Sequence, residues 1–280
     1  MKVLITGAHG QLGKELQRQT SCLYNVTCLG KEELDITDKN KIDNIIAQVK
    51  PSKIIHAAAY TAVDNCELDQ KKAIEVNGIG TAYIVQAANK VNARVFYISS
   101  DYVFDGRKKS PYFEADNPNP QSIYGLSKWL GERYVLDFNN GTVIRTSWLY
   151  GHDGKNFVKT MLNLAERNQN LKVVNDQIGS PTYVKDLAEK VIELFDKKSG
   201  VYHVSNSGEC SWYEFAQAIF KEAGFNQENI LPTTTEEFGA LAPRPRYSVL
   251  GHNALIREHI EVPRIWTDAL KEFIRKEIRK

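Results

Sequence analysis

Along residues 1–150, short apolar runs alternate with segments whose apolar residues recur every three or four positions. The runs have the length and the β-branched content of buried strands, whereas the spaced segments have the period of helices packed on one side. The pattern predicts five strands, which are "KVLIT", "NVTCL", "KIIHAAA", "RVFYISS" and "GTVIRTS". Alternation of such strands with helices indicates an α/β fold built on a parallel sheet with helices on both faces.

Helical spacing predicts four helices between these strands, over "QLGKELQRQ", "DKNKIDNIIAQVK", "DQKKAIEVNGIGTAYIVQAANKV" and "SIYGLSKWLGERYVLDF". Asp38 or Thr37 is expected to cap the second helix, which Pro51 stops. After Tyr150 the alternation loosens. Further helices are predicted over "KNFVKTMLNLAERN", "VKDLAEKVIELFD", "SWYEFAQAIFKEAG" and "IWTDALKEFIRKEIRK", with strands over "LKVVND" and "GVYHVS". We therefore expect two regions, 1–150 and a smaller α/β region at 151–280, some of whose elements return to the first sheet.

Composition and charge limit the partners, the location and the metal content that are expected of the protein. The chain has 280 residues and a net charge of +2, with no long basic run, so neither nucleic acid nor an anionic membrane is an expected partner. The first apolar run is too short for a signal peptide, and no stretch approaches the ~20 apolar residues of a membrane span. Four scattered cysteines without a C-x-x-C pair predict reduced thiols and a cytoplasmic location. The chain has no His-Glu-x-x-His and no clustered Cys/His set, which predicts no catalytic metal.

A glycine-rich turn, "TGAHGQLG", joins the first strand to the first helix. Gly7, Gly10 and Gly13 follow the spacing that lets a backbone turn tightly, approach a pyrophosphate and pack helix on strand. A helix N-terminus also offers unpaired N–H groups to phosphate. The turn therefore predicts a Rossmann-like doubly wound domain at 1–150 that binds a dinucleotide, with a mainly substrate-binding region after it.

The second strand indicates which dinucleotide is preferred. NAD sites often place an acid at its end for the ribose 2′-hydroxyl, whereas here Leu29-Gly30 is followed by Lys31. Lys31 favours the 2′-phosphate of NADPH, although a solvated surface lysine is an equal explanation and NADH stays an alternative. Asp35-Ile36 and the three alanines of "HAAAYT" are expected near the adenine and ribose, with small-residue packing as the other reading of the alanines.

Tyr124 and Lys128, in "YGLSK", stand four residues apart and therefore share one face of a helix. A nearby ammonium group is expected to lower the pKa of a phenol and make it a proton donor near neutrality. A helix start with a surface lysine explains the same spacing. Ser100, at the end of the fourth strand, faces the ligand crevice in this fold and can bond a substrate oxygen, or simply cap the strand.

In order along the chain, "GAHGQLG", "HAAAYTAVDNCE", Asn77 in "VNGIGT", "SSDYVFDG", "YGLSK" and "RTSWLYG" together resemble the extended short-chain dehydrogenase/reductase family. "TAVDNCE", "NFVKTML", "NDQIGSPTY" and "RPRYS" narrow the resemblance to the dTDP-4-dehydrorhamnose reductases, over nearly the whole chain. That resemblance implies NADPH-dependent reduction of the C4 ketone of dTDP-4-dehydro-L-rhamnose to dTDP-L-rhamnose, for surface polysaccharide. Another nucleotide-sugar 4-ketoreductase, an epimerase, or a regulatory subunit like that of methionine adenosyltransferase are the alternatives.

The resemblance also implies roles for individual residues. The expected catalytic residues are Ser100, Tyr124 and Lys128, and the expected substrate-binding residues are Ser100, Asp101, Trp148 and Arg244. With Tyr124 and Lys128, the expected cofactor-binding residues are Gly7, Gly10, Gln11, Leu12, Gly13, Lys31, Asp35, Ile36, Ala57, Ala58, Ala59, Tyr60, Thr61 and Asn77.

Two departures limit what the resemblance implies. Related dehydratases carry Asp-Glu after the catalytic hydroxyl residue, whereas this chain has Asp101-Tyr102, which favours simple reduction. Some members of the reductase family hold magnesium between glutamates at a dimer contact. Glu15 matches one of these glutamates, but Lys185 stands where another is expected, so no magnesium site is predicted and Glu15 is read as a solvated carboxylate. A homodimer stays open.

Overall fold

A parallel six-stranded sheet forms the centre of the computed structural model, which describes residues 1–167 and 170–278. The strands in chain order are β1 (Lys2–Thr6), β2 (Asn25–Leu29), β3 (Lys53–His56), β4 (Arg94–Ser100), β5 (Gly141–Thr146), β6 (Leu149–Tyr150), β7 (Leu171–Val174), β8 (Ile178–Gly179), β9 (Thr182–Tyr183), β10 (Gly200–His203), β11 (Cys210–Ser211) and β12 (Ile230–Thr233). The central sheet has the order β10-β5-β4-β3-β1-β2, and its five adjacent strand pairs are parallel.

Helices surround this sheet and fill the C-terminal region. They are α1 (Gln11–Thr20), α2 (Lys39–Val49), α3 (Val63–Leu68), α4 (Gln70–Ala73), α5 (Gly80–Lys90), α6 (Ile123–Leu136), α7 (Phe157–Ala165), α8 (Val184–Glu193), α9 (Trp212–Ala223), α10 (Thr235–Phe238), α11 (Asn253–Arg257) and α12 (Trp266–Ile278). None of the helices in the described part of the chain combines the length and apolarity that crossing a bilayer requires.

Each face of the sheet has its own apolar core. On one face, side chains of α1, α8 and α11 pack against the strands around Leu16, Leu187 and Leu255. On the other face, α2, α5 and α6 pack around Ile42, Ile84 and Val135. The predicted α/β class with a parallel sheet covered on both faces is therefore confirmed.

Strand β10 comes from the second half of the chain and extends the sheet beyond β5. The second half also supplies α8 and α11 to one face, so residues after 150 complete the sheet that the first half begins. A third core lies among α7, α9 and α12 and contains Met161, Phe215 and Phe273. The division into regions at residue 150 stays a prediction.

Local sequence signals, such as capping residues and proline, explain where helices such as α2 begin and end. The carboxylate of Asp38, not the Thr37 hydroxyl, caps α2 by accepting a hydrogen bond from the Lys41 amide, at 3.0 Å. Lys50 ends α2 in the left-handed conformation, with φ of 48°, directly before Pro51. The predicted helix ends at Asn168, Arg279 and Lys280 lie outside the described residues.

Two predicted elements of the first half differ in more than their end residues. The third strand ends at His56, so the three alanines after it are free to line a cleft. The helix predicted over 69–91 is helical from Gln70 to Lys90 but contains a π-helical turn at Ile74–Ile79. Such turns add one residue per turn and are often found at functional sites. Here the turn contains Asn77, whose side chain bonds the loop at Tyr60.

Candidate active site

A cleft of about 730 Å³ lies at the carboxyl ends of the central strands. This is the edge at which parallel α/β sheets bind ligands, because their loops converge there. Eighteen of the twenty residues singled out in the sequence line it, and two do not, namely Asn77 and Arg244. The lining residues are Gly7, Gly10, Gln11, Leu12, Gly13, Lys31, Asp35, Ile36, Ala57, Ala58, Ala59, Tyr60, Thr61, Ser100, Asp101, Tyr124, Lys128 and Trp148, of which Ser100, Tyr124 and Lys128 carry the expected chemistry.

The glycine-rich turn forms one end of the cleft. Gly7 has φ of 68°, and a Cβ built there would lie 2.6 Å from the Ala58 nitrogen. A Cβ on Gly13 would lie 2.2 Å from the Gly7 carbonyl oxygen, so α1 can pack on the turn only without that side chain. Helix α1 starts at Gln11 with no side-chain cap and no acid in its first turn. Its N–H groups therefore fit the pyrophosphate of a dinucleotide.

The far end of the cleft, beside β2, has mixed charge. Lys31 and His9 both line it. The carboxylate of Glu33 accepts a hydrogen bond from the Gly30 amide and lies 3.9 Å from the His9 ring. Asp35 uses one oxygen to accept hydrogen bonds from the Thr37 amide and hydroxyl, which lower its pKa. Sequence reasoning missed His9 and Glu33, since their proximity arises only when the turn packs beside β2.

The loop after β3, which forms one wall of the cleft, is held by hydrogen bonds to a buried side chain. Ala57 to Thr61 line the cleft, and the fully buried Asn77 bonds both the amide and the carbonyl of Tyr60, at 2.8 and 3.0 Å. Asn77 also donates to the Ser127 hydroxyl on α6, at 2.9 Å. Its contacts thus hold the wall of the cleft against the helix that carries Tyr124. Its expected role in cofactor binding stays a prediction.

Lys128 is buried at the base of the cleft, where its ammonium group donates to the Ile98 carbonyl at 2.6 Å. The same group lies 4.1 Å from the centroid of the Tyr97 ring. Burial lowers the pKa of Lys128 to about 7, and the charge of Glu132 one helical turn later opposes that shift. Burial also lowers the pKa of the neighbouring His56 to about 3, with a smaller effect of Lys128.

Tyr124 lies on the first turn of α6 and is almost fully buried. Burial raises the pKa of its phenol; a hydrogen bond with Ser100 opposes the shift, and the Asp101 charge adds to it. The expectation that Lys128 lowers this pKa is therefore wrong. The i, i+4 spacing correctly places both side chains in one cleft, but it carries no information on how much water each group loses.

Ser100 and Asp101 form a buried pair at the end of β4. The Ser100 hydroxyl donates to Asp101 Oδ1 at 2.9 Å and accepts from the Tyr102 amide at 3.2 Å. Asp101 Oδ2 has no hydrogen-bond partner among the described residues. Burial raises the pKa of Asp101 to about 6, while the nearby hydroxyls of Ser248 and Ser100 oppose the rise. A buried oxygen without a partner beside a cleft is suited to receive a ligand donor.

Trp148 closes the side of the cleft nearest the C-terminal region. Its backbone is left-handed, with φ of 48°, which is unusual for a bulky residue. Its indole stacks on Trp212 of α9, with ring centroids 3.6 Å apart and an interplanar angle of 9°. The contact with Trp212 is one that sequence reasoning missed, because no local pattern joins residues 64 positions apart.

Arg244 is not among the residues that line the cleft. Its guanidinium group donates to both carboxylate oxygens of Asp64, at 3.0 and 2.8 Å. Arg246 shows no ion pair in the described part of the chain. Arg244 therefore meets an internal carboxylate in this structure, and its expected role as a phosphate clamp stays a prediction.

Comparison with known proteins identifies the family of the chain. A model of the RmlD substrate binding domain matches residues 1–278. The chain belongs to this RmlD family. It is 50% identical over 277 residues to the spore coat polysaccharide biosynthesis protein SpsK of Bacillus subtilis (strain 168), covering 98% of this chain and 97% of that protein. It is 42% identical over 285 residues to the dTDP-4-dehydrorhamnose reductase of Aggregatibacter actinomycetemcomitans, with 96% and 97% covered.

Comparison with a solved structure supports the same family over almost the whole chain. The dTDP-4-dehydrorhamnose reductase of Bacillus anthracis str. Ames, solved in complex with NADP, superposes with a TM-score of 0.96 at 44% identity. The match covers 98% of this chain and 99% of that chain. The family resemblance predicted from the sequence motifs is thus confirmed.

Thr146 is a further residue of this RmlD-family cleft that sequence reasoning missed. It ends β5 in register with Ser100 on β4, and its hydroxyl has no partner among the described residues. The signal was present, because the argument that singled out Ser100 as a hydroxyl at a strand end applies equally to Thr146.

The two positions considered for magnesium, Glu15 and Lys185, are already paired, and Glu15 is buried rather than the solvated carboxylate expected from the sequence. Glu15 accepts hydrogen bonds from Arg18 and Gln19, and Lys185 donates to Glu272 at 3.0 Å. Residues 1–167 and 170–278 contain no group of three or more His, Cys, Asp or Glu side chains arranged to hold a metal. The donor set around Glu15 contains cations where a metal site needs anions.

Proposed function

We propose that this protein reduces the C4 ketone of dTDP-4-dehydro-L-rhamnose with NADPH and forms dTDP-L-rhamnose for surface polysaccharide. The observation that carries the proposal is the convergence of Ser100, Tyr124 and Lys128 in one cleft with a glycine-rich turn at its end. Membership of a family whose relatives are named dTDP-4-dehydrorhamnose reductases supports the same activity.

The chain fits a dinucleotide cofactor. The Gly7–Gly13 turn and the uncapped start of α1 would hold the pyrophosphate, and Lys31 would meet the 2′-phosphate of NADPH. The named relative from Bacillus anthracis, which was solved with NADP, supports NADPH over NADH. NADPH, when bound, supplies a hydride to the C4 carbon and becomes NADP⁺.

Tyr124 is the proposed proton donor. As the C4–oxygen π bond breaks, negative charge collects on the oxygen and the phenol transfers its proton there. The raised pKa of Tyr124 keeps the phenol protonated through the physiological range, which is the form a donor needs. General acid catalysis of this kind typically contributes about 10²–10⁴-fold to a rate. Water or a proton relay then restores the phenol.

Ser100 and Lys128 are proposed to support that transfer. The Ser100 hydroxyl can turn from Asp101 Oδ1 to donate a second hydrogen bond to the C4 oxygen. The ammonium group of Lys128 provides positive charge at the base of the cleft and donors for the hydroxyls of the cofactor ribose. Both groups are buried, so water competes little for these hydrogen bonds.

Asp101 and Trp148 are proposed to bind the sugar. Asp101 Oδ2 lacks a partner among the described residues and can accept from a sugar hydroxyl, while the Trp148 indole offers an apolar wall beside it. We also propose a cytoplasmic enzyme, since its four cysteines are free. Assembly as a homodimer remains a prediction from the resemblance.

Product analysis tests the function directly. The wild-type protein is incubated with NADPH and dTDP-4-dehydro-L-rhamnose, and in parallel with dTDP-4-keto-6-deoxy-D-glucose, and the sugar nucleotides are identified by NMR. We expect dTDP-L-rhamnose in the first reaction, with one NADPH consumed per product. Interconversion of sugars without NADPH consumption would instead indicate an epimerase, and no conversion in either reaction would contradict an enzyme of this class.

Tyr124→Phe tests the proton donor. Loss of the hydroxyl should lower kcat by about 10²–10⁴-fold, while NADPH still binds with unchanged stoichiometry. Tyr134→Phe is a matched control because Tyr134 lies on the same helix but is exposed. Equal kcat values for Tyr124→Phe and Tyr134→Phe would exclude the proposed role of Tyr124.

A further inference from the structure

The motif "TAVDNCE", residues 61–67, folds as the loop into helix α3 and most of that short helix. Only Thr61 and Val63 of this motif line the cleft. The carboxylates of Asp64 and Glu67 point to two other parts of the protein, and both reach backbone amides there.

Asp64 holds a segment of the C-terminal region. Its Oδ1 accepts a hydrogen bond from the Ala242 amide at 2.9 Å, and both its oxygens accept from the Arg244 guanidinium. Arg244 also donates to the Ala242 carbonyl at 2.8 Å. The 242–244 segment therefore has an internal hydrogen bond as well as its bonds to Asp64. The Arg244 hydrogen bond and the Ala242 amide favour the carboxylate, and the pKa of Asp64 is lowered. A bidentate pair of this kind fixes direction as well as distance.

Glu67 holds the start of the helix that carries Tyr124. Its Oε1 accepts a hydrogen bond from the Ile123 amide, the first residue of α6, at 2.8 Å. The Ser122 hydroxyl accepts from the Gly125 amide at 3.1 Å and provides the ordinary cap. Glu67 thus adds a second acceptor, and a negative charge, at the positive end of α6.

The apolar side of α3 contacts the same site. Cys66 is fully buried in one cluster with Tyr124, and Val63, Tyr102 and Ile123 pack against them. The Tyr102 and Tyr124 rings meet edge to face, with centroids 5.4 Å apart. One side of α3 therefore packs against the Tyr124 phenol, while the Glu67 carboxylate holds the backbone at the start of the helix that carries Tyr124.

We propose that α3 is a positioning element for the reaction, in which Glu67 sets the place of Tyr124 by bonding the start of α6 while Asp64 holds Arg244 and the 242–244 segment. Because one helical turn carries both carboxylates, α3 links the C-terminal segment to the start of the helix that carries the proton donor. This assignment rests on the proposed function for its kinetic consequences, but the contacts themselves are measurable without turnover.

Glu67→Ala and Glu67→Gln separate the two roles of this side chain. Alanine removes the acceptor, whereas glutamine keeps an oxygen that the Ile123 amide can bond. We expect Glu67→Ala to lower kcat about tenfold with the KM for NADPH changed less than about twofold. Glu67→Gln should recover most of kcat. NADPH-binding stoichiometry, measured by fluorescence titration, shows that the loss does not come from unfolded protein.

Asp64→Ala tests the other end of α3. Loss of the carboxylate should raise the KM for the sugar nucleotide about tenfold, because Arg244, the predicted phosphate clamp, loses the charge-assisted hydrogen bonds that fix its position. The KM for NADPH should be unchanged. Asp69→Asn is the matched control. Asp69 lies just after α3 and is exposed, and its carboxylate accepts only from the Lys72 amide among the hydrogen bonds of the described residues. We expect wild-type kinetics from this control.

Hydrogen–deuterium exchange gives a readout that does not depend on activity. Glu67→Ala should accelerate exchange at the start of α6, and Asp64→Ala at residues 242–244, whereas Glu67→Gln and Asp69→Asn should match the wild type. If the wild type turns over no sugar nucleotide, the proposed function fails and the exchange data alone decide the role of α3. Unchanged exchange and kcat in Glu67→Ala, or equal losses in Glu67→Ala and Glu67→Gln, would overturn the assignment.

Discussion

Two buried groups stand four residues apart on α6, and burial moves their pKa values in opposite directions. Tyr124 is an acid that becomes charged on losing its proton, so burial raises its pKa. Lys128 is charged in its protonated form, so burial lowers its pKa to about 7. In both cases the neutral form is favoured. The phenol therefore retains its proton at neutral pH, while the ammonium group is the member of the pair that titrates there.

The titration of Lys128 should be visible in the pH dependence of the reaction. Because kcat/KM reports groups of the free enzyme, kcat/KM for NADPH should fall as the pH rises through about 7 and the ammonium charge is lost. Lys128→Arg keeps its charge at every accessible pH, so this descending limb should vanish even if the absolute rate is lower. A limb at the same pH in Lys128→Arg would assign it to another group.

Lys31 is the residue on which cofactor preference should depend. Lys31→Ala removes a cation from the cleft beside β2 and should lower kcat/KM for NADPH about tenfold, with little effect on NADH. The measurement is the ratio of the two kcat/KM values. Lys39→Ala is the control, because Lys39 lies on α2, with its ammonium group near the Tyr83 ring. If the ratio stays constant, the 2′-phosphate is recognised elsewhere.

At the scale of elements, the two halves of the chain meet where Trp148 stacks on Trp212. The first indole follows β5, and the second begins α9, so the stack joins the edge of the sheet to the C-terminal core. Phe157 of α7 packs beside Trp212, with centroids 4.6 Å apart. These contacts hold Trp148 in its left-handed backbone conformation, which a bulky residue rarely adopts.

Trp212→Ala should therefore weaken binding of the sugar and leave the cofactor unaffected. We expect the KM for the sugar nucleotide to rise about fivefold to tenfold, since an aromatic pair contributes about 0.5–1.5 kcal/mol beyond its area, with the Kd of NADPH unchanged. Tryptophan fluorescence quenching on addition of dTDP follows the site directly. Tyr213→Phe, at the next position of α9, should behave as wild type. Parallel losses of both affinities would show a general collapse instead.

The elements were largely predictable because each obeys a local rule. The apolar runs became strands with the expected bounds in three of five cases, a fourth ends one residue early, and Asp38 capped α2 as expected. The exceptions depend on neighbours distant in sequence. The third strand ends early because the backbone that follows its three alanines forms hydrogen bonds, at Tyr60, with the Asn77 side chain rather than with a neighbouring strand. The π-helical turn at Ile74–Ile79 is part of the same contact, and periodicity cannot reveal it.

At the scale of the whole molecule, a buried ion pair joins α6 to the sheet. Arg145 of β5 donates to both oxygens of Glu132, at 2.9 and 2.7 Å. Register places Arg145 between Ser99 of β4 and His203 of β10. Ser99 donates to Glu132, and the buried His203 bonds Arg145 and the carbonyls of the 112 and 251 loops. One polar network therefore connects strands from both halves of the chain.

Breaking this pair should destabilise the entire fold. Glu132→Gln leaves Arg145 buried without a counter-charge, a change that costs about 3–5 kcal/mol and should lower Tm by about 10 °C. Glu75→Gln is the control, because its partner Lys71 lies 3.7 Å away with 85% of its side chain exposed. Exposed pairs of this kind contribute about 0–1 kcal/mol. Similar Tm losses in the two variants would refute a central role for the Glu132 pair.

The cleft was foreseeable to the extent that its residues lie at strand ends or in the glycine-rich turn. Those positions follow from fold topology, which places the carboxyl ends of parallel strands together. The supporting contacts were not foreseeable. Trp212, Glu67 and Asp64 act through side chains that meet only after helices from different regions pack together. The pKa values of Tyr124 and Lys128 likewise depend on burial by the whole molecule.

The position of β10 has a consequence for how the protein is made on the ribosome. Strand β5 is complete at residue 146, yet the strand that covers its outer edge spans residues 200–203. At about 5–20 residues per second, the nascent chain carries an unpaired β5 edge for roughly 3–11 seconds. During that interval the edge is open to pairing with other chains. Efficient synthesis therefore requires that chaperones, or slow folding of the first half, protect this edge until residue 203 has emerged.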